Sequence, residues 1–247
     1  MSNKLLEVER LHLNELRTGN NLRKNEEIVA DFIVKYTYES VTIDNKNTMT
    51  KSDIAKLITT KTLTTKYCER EQKEVLNHVK AFNHVINLVN QKKWITEDVL
   101  KDLHEILVEG IFVGGTYRKV NVQITDSIHQ PPNYIKVYDR MKKYIYDLDL
   151  HRGDVIQKAA LAHAGISKIY PFLEGNGRLA RLVMNYVLLY HGYIPISFSI
   201  TNKGFYFEAI NDFKTEKSLE LFCDLITQKL LVRYEDYIKK LEEEQNL

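Results

Sequence analysis

The sequence is poor in the residues that mark several large classes of protein. Only two of its 247 residues are cysteine, Cys68 and Cys223. They lie far apart and outside any metal-ligand spacing, which argues against a disulfide framework and a cysteine-built zinc site and fits two idle thiols in a reducing compartment. Four prolines and ten glycines are few, as suits a mainly helical chain. Basic and acidic residues nearly cancel, leaving a net charge of +2, so the totals give no argument for nucleic acid or a membrane surface. No uninterrupted apolar run is long enough to span a bilayer, and the opening Met-Ser-Asn-Lys-Leu-Leu-Glu-Val-Glu has no apolar signal segment. The expectation is a cytoplasmic protein, with secretion by a route without a cleaved signal left open. Target identity and oligomeric state have no signal in the sequence.

What the chain does have is hydrophobic residues, 44% of the total, enough for a substantial core. Their spacing is helical. Leu5, Leu6, Val8, Leu11 and Leu16 predict a first amphipathic helix, and Ile28, Val29, Phe32, Ile33 and Tyr36 a second. Residues 40–47 read as a loop by composition, and Thr50, with Asp53 in the first turn, as the cap of the next helix. Val75, Val79, Phe82, Ile86 and Val89 predict a long helix. Thr96 is a further cap, ahead of Val99, Leu100, Leu103, Ile106 and Leu107. After Gly110, Gly114 and Gly115, the alternation Val120, Val122, Ile124 predicts a short strand stopped by Pro131-Pro132, in a small β-hairpin. Helices follow over 135–148 and, with Asp154 as cap, from 155.

Two segments stand out. Val155 to Ile169 and Leu179 to Tyr190 are apolar on every side, as in helices buried nearly all round. Between them lies Tyr170-Pro-Phe-Leu-Glu-Gly-Asn-Gly-Arg-Leu-Ala-Arg181, a polar tip on a buried hairpin. Gly175 and Gly177 let backbone approach a ligand closely, and they sit where a helix starts, with free N–H groups and the positive dipole end facing the loop. Arg178 and Arg181, three apart on one helical face, are forked donors for further phosphate oxygens. Glu174 suits such a site if Mg²⁺ lies between it and phosphate. The alternative is a plain interhelical turn whose arginines pair with nearby acids. Gly175 to Ala180 also satisfies the dinucleotide fingerprint, but a helix precedes it and no acid lies near 197–201, so that motif is rejected. A P-loop lysine and zinc spacing are both absent.

The tip resembles the signature of the Fic family, His-Pro-Phe-x-(Asp/Glu)-Gly-Asn-Gly-Arg-x-x-Arg. Pro171, Phe172, Glu174, Gly175, Asn176, Gly177, Arg178 and Arg181 match, and Tyr170 stands where the family has its catalytic His. The resemblance implies an all-α, mainly helical Fic fold with one small β-hairpin flap. It divides the chain into an N-terminal helical region (1–93), a Fic core (94–193) and a C-terminal helical region (194–247). It further implies ATP as nucleotide substrate with Mg²⁺ at Glu174. Gly175, Asn176, Gly177, Arg178 and Arg181 would bind the nucleotide, AMP would pass to a hydroxyl of a target protein, and that target would dock on the flap near 115–132 by strand addition. Ser40, Asp44 and Asn45 resemble the family's inhibitory motif, in which a Glu pairs with the second signature arginine. Asp44 is one methylene shorter, and an Asx-turn in a surface loop is the other reading. His163 also has a family counterpart, and a buried, hydrogen-bonded histidine is favoured over a substitute base.

Tyr170 separates binding from chemistry. A phenol with pKa of about 10 is ionised to about one part in 10³ at pH 7, a cost of about 4 kcal/mol against an imidazole that is largely neutral and able to accept a proton. General-base catalysis is worth about 10²–10⁴-fold. The expectation is retained Mg-ATP binding with slow or absent transfer. Three readings follow: an adenylyltransferase with weak chemistry, a nucleotide-binding pseudoenzyme acting as a regulatory module, or a protein in which Tyr170 itself accepts AMP. An engineered replacement of His at 170 would look the same.

Overall fold

The polar residues expected to start helices do start them. Thr50 accepts from the Asp53 backbone N–H at 3.2 Å, Thr96 from Val99 at 3.2 Å and Asp154 from Gln157 at 2.8 Å, each satisfying a donor left free in a first turn. The structure, a computed structural model, describes residues 2–19, 30, 32–44, 46–124 and 129–245. Among them the helices are α1 Ser2–Gly19, α2 Ile33–Thr42, α3 Lys51–Thr60, α4 Glu69–Asn90, α5 Glu97–Val108, α6 Val137–Leu150, α7 Val155–Ile169, α8 Asn176–Tyr190, α9 Lys203–Thr215 and α10 Glu220–Gln245. Short 3₁₀ turns at Tyr134–Lys136 and Ile200–Asn202 lead into α6 and α9. No described helix is long and apolar enough to cross a membrane.

The pair α7 and α8 is the centre. Every residue from Arg178 to Leu189 is buried, as the all-round apolar pattern requires, and each large apolar side chain contributes roughly 1.5–3 kcal/mol. Helices α4 and α5 cover α8, whereas α6, α9 and α10 cover α7; α1 lies on α10. The Asn185 amide sits inside this core and bonds both backbone groups of Ile196 at 2.9 Å. It thereby fixes the returning segment that leads to Phe198 and α9. A smaller cluster of Val41, Met49, Ile54, Leu57 and Val75 ties α2 and α3 to α4, and so seats the residues between α2 and α3 against the core.

Two expectations need correcting. The predicted loop at 40–47 starts too early, because Ser40, Val41 and Thr42 form the last turn of α2; Val41 is buried in the smaller cluster, and that burial holds the turn helical. Asn45 lies outside the described residues, as does most of the second predicted helix's start. The β-hairpin is not seen either: residues 116–124 and 129–133 carry no strand, while 125–128 lie outside the described residues. Among the described residues the alternation pairs with no strand, and Val120 is 53% exposed. Carbonyls on both limbs are instead bound by one side chain, since Arg118 donates to Val120 O at 2.9 Å and to Pro132 O.

Candidate functional site

The tip begins with a conformational switch from helix to loop. Tyr170 ends α7 with φ +50°, in the left-handed region, its N–H still bonded to Ile166 O at 2.7 Å. Arg118 holds the next step, donating from Nε to Tyr170 O and from its backbone N–H to Pro171 O, both at 2.9 Å. Phe172 is fully buried and lies flat against the His104 ring, with centroids 3.6 Å apart and planes within 6°. Asn176, expected at the phosphate, is spent on the loop: Oδ1 accepts from Phe172 N–H at 3.0 Å and Nδ2 donates to Phe172 O at 2.8 Å. Its amide closes the turn and holds Phe172 down.

His104 is the central support, and the sequence reading passed over it. Its Nδ1 accepts from Gly115 N–H at 3.1 Å, so the other nitrogen carries the proton and donates to Glu174 O at 2.9 Å. Burial pushes its pKa down to about 4, which keeps the ring neutral and this tautomer fixed. The signal was present: Leu100, Leu103 and Leu107 mark the buried face of α5, and His104 is the polar member of that stripe. Gly175 then opens α8 at φ +80° with no capping side chain. A Cβ there would also lie 3.2 Å from Val108.

The two arginines part company. Arg178, expected on phosphate, is buried and engaged with Glu74 and with Leu107 O, each at 3.4 Å. Glu74 in turn bonds Asn47 at 3.2 Å, so Arg178 braces α8 against α4 and the segment ahead of α3. Arg181 is 2% exposed and bonded at all three of its nitrogens. It donates to Ser40 Oγ at 3.0 Å, Ser40 O at 2.7 Å, Tyr206 Oη at 3.1 Å and Asp44 Oδ2 at 3.1 Å. Asp44 therefore does reach Arg181. Gly177 leaves room for it, since a Cβ there would lie 3.1 Å from Asp44 Oδ2, a tight contact. The start of α8 thus has the chain's own carboxylate beside it.

Behind Arg181, Tyr206 already accepts from the guanidinium, so its proton is directed to His163 Nε2, 2.8 Å away. Burial, aided by Arg181, keeps His163 well below its usual pKa. It is a neutral, hydrogen-bonded core histidine. Tyr170 is half-buried; burial raises its pKa, with Lys46 opposing. Glu174 remains near the surface, paired with Lys46 at 3.2 Å. Among the described residues no group of three or more acids, histidines or cysteines could hold a metal. Glu174 is a single carboxylate, and Mg²⁺ takes one or two protein carboxylates and fills its shell from phosphates and water, so it would suit this residue only beside bound phosphate.

Residues 94–188 match the Fic/DOC family. That segment holds His104, Arg118 and the whole tip, whereas Ser40, Asp44, Lys46 and Glu74 precede it and Tyr206 follows. The chain is similar to the protein adenylyltransferase Fic of Nematostella vectensis, at 29% identity over 187 residues, covering 74% of this chain and 44% of the relative. It is also similar to that of Drosophila willistoni, at 28% over 197 residues, 77% of this chain and 38% of the relative. It spans less than half the length of these relatives. In fold it resembles a Fic domain containing signaling protein from Bacteroides thetaiotaomicron, with TM-score 0.86 at 18% identity over 98% of this chain and 97% of that one. Fic-1 (residues 134–508) of C. elegans gives TM-score 0.82 at 20% identity, over 98% of this chain and 73% of that one. The likeness extends the Fic-type helical fold beyond the matched segment, to α1–α4 and α9–α10.

Proposed function

We propose that this chain is a Fic-type adenylyltransferase scaffold that binds Mg-ATP for transfer of AMP to a protein hydroxyl, held back by its own N-terminal segment and weakened at the chemical step by Tyr170. The observation that carries the reading is Arg181, a buried guanidinium at the start of α8 with Asp44 on it. An arginine there, beside Gly177 and an uncapped helix start, is the arrangement expected for the end of a polyphosphate. The chain's carboxylate stands in the place of that anion.

In the reaction, the target hydroxyl oxygen would bond to the α-phosphorus as the bridge to the β-phosphate breaks and pyrophosphate leaves. The helix-start amides and Arg181 would hold phosphate oxygens, and Glu174 would hold the cation, which supplies charge neutralisation for the phosphates. Asn176 and His104 would keep the loop in shape, and Arg178 would brace α8 from behind. The hydroxyl's proton needs an acceptor. Tyr170 is a poor one, because burial raises a pKa that is already about 10 in water. The target would dock near 115–132, where Arg118 fixes both limbs.

The same observation favours a second reading, a nucleotide-binding pseudoenzyme acting as a regulatory module. The two are separated by comparing the parent chain with Tyr170→His, using labelled ATP with Mg²⁺, intact-mass detection of an AMP adduct and calorimetric ATP titration. The enzyme reading expects slow transfer by the parent and a gain of about 10²-fold or more in Tyr170→His. Binding without transfer in both forms would establish the pseudoenzyme. No ATP binding, even in the Asp44→Ala background, would overturn the nucleotide assignment itself.

A further inference from the structure

Asp44 is not the only residue of its segment on the tip. Two positions along the chain, Lys46 places its Nζ 3.2 Å from Glu174 Oε2 and 3.5 Å from Oε1, across the two oxygens that a cation would take. Meanwhile Asp44 lies on Arg181 at 3.1 Å. The segment thus offers a negative charge to the arginine and a positive charge to the carboxylate. Metal-bound phosphate would offer the same two signs to the same two groups.

We infer that residues 44 and 46 together form a two-point latch that imitates a metal–phosphate unit, with the Lys46 ammonium standing in for the divalent cation at Glu174. The inference rests on the nucleotide reading above and adds a competition for the metal to the competition for phosphate. The two contacts differ in strength. Lys46 and Glu174 are 56% and 30% exposed, so their pairing is worth at most about 1 kcal/mol and yields readily. Asp44 pairs with a guanidinium that is 2% exposed and has no other carboxylate among its bonded partners. The latch therefore opens first at the metal side. Neutralising Lys46 bares Glu174 to the cation while leaving Asp44 in place, which makes the metal contact separable from the phosphate contact.

The test is calorimetric titration of ATP into the full chain, once with Mg²⁺ and once with EDTA, for the parent, Lys46→Met and Asp44→Ala. Lys46→Met should bind ATP about fivefold more tightly with Mg²⁺ and unchanged in EDTA, whereas Asp44→Ala should gain in both. Equal effects of Lys46→Met in the two buffers, or none, would overturn the latch. If no form binds ATP, the nucleotide reading fails, and Mn²⁺ alone, followed by paramagnetic resonance, decides the latch. Tighter Mn²⁺ binding by Lys46→Met, abolished in a Lys46→Met, Glu174→Gln double variant, would sustain it; identical binding by parent and Lys46→Met would overturn it.

Discussion

The two helices of the central hairpin begin in opposite ways. Helix α7 is closed by its own neighbour, with Asp154 on the Gln157 N–H at 2.8 Å. Helix α8 begins at Gly175 with no capping side chain and no acid in its first turn. An arginine at Arg178 and another at Arg181 make that start still more positive. The start of α7 receives a local acceptor, whereas the start of α8 leaves its cations to a partner distant in sequence. Asp44 is that distant group, brought to α8 by the packing of α2 and α3.

Acid should disturb the α8 start most. His104 supports it through Glu174 O, and its folded pKa of about 4 lies below the unfolded value of about 6.5. Between those values the unfolded chain holds more protons, so this stabilisation is complete above pH 6.5 and is lost as pH falls toward 4. His104 alone contributes on the order of 3 kcal/mol to that loss, and buried His78 and His163, also shifted down, add in the same direction. Urea unfolding at stepped pH measures it, and His104→Gln should remove about one proton's share of the slope between pH 4 and 6.5; an unchanged slope would mean that folding does not depress the His104 pKa.

Arg181→Ala comes next. It removes the guanidinium from Ser40 O and Oγ in the core and from Asp44, and leaves the Tyr206 hydroxyl with His163 alone, at an expected cost of about 3 kcal/mol in chemical denaturation. Under the proposed function it also abolishes ATP binding. A variant that retained full ATP affinity would move the phosphate site away from Arg181.

The smallest effect separates the two helix starts directly. Asp154→Ala should cost about 1 kcal/mol of stability, as for other lost caps, and leave ATP affinity alone. Asp44→Ala should cost at least as much, because it leaves the buried Arg181 guanidinium without a carboxylate, yet raise ATP affinity. Stability melts and ATP titrations of the same two variants check both halves. If the effects were exchanged, the contrast between the helix starts would have been misread.

Much of this was legible in the sequence. The caps at Thr50, Thr96 and Asp154, the buried hairpin and the glycine-bearing tip follow from spacing and residue type, because they depend on neighbours within a few positions. The family resemblance also singled out Ser40, Asp44 and Arg181, which the structure brings together. Other features were not legible. Arg178 reads like Arg181 on a helix surface, and only Glu74, more than a hundred residues away in sequence, turns it into a brace. The alternation at Val120, Val122 and Ile124 reads as a strand, but among the described residues no strand forms there, and the Val120 and Pro132 carbonyls go to Arg118. Lys46 carries no pattern at all.

By itself the sequence determined a helical chain with a buried hairpin whose polar tip has the residues for a phosphate. Local periodicity and turn chemistry suffice for that. The tertiary structure decided what faces the tip: His104 beneath it, Tyr206 behind Arg181, and Asp44 and Lys46 across from Arg181 and Glu174. Those contacts join residues far apart in sequence on helices and the loops between them, and charge pairing at that range is set by packing rather than by order along the chain.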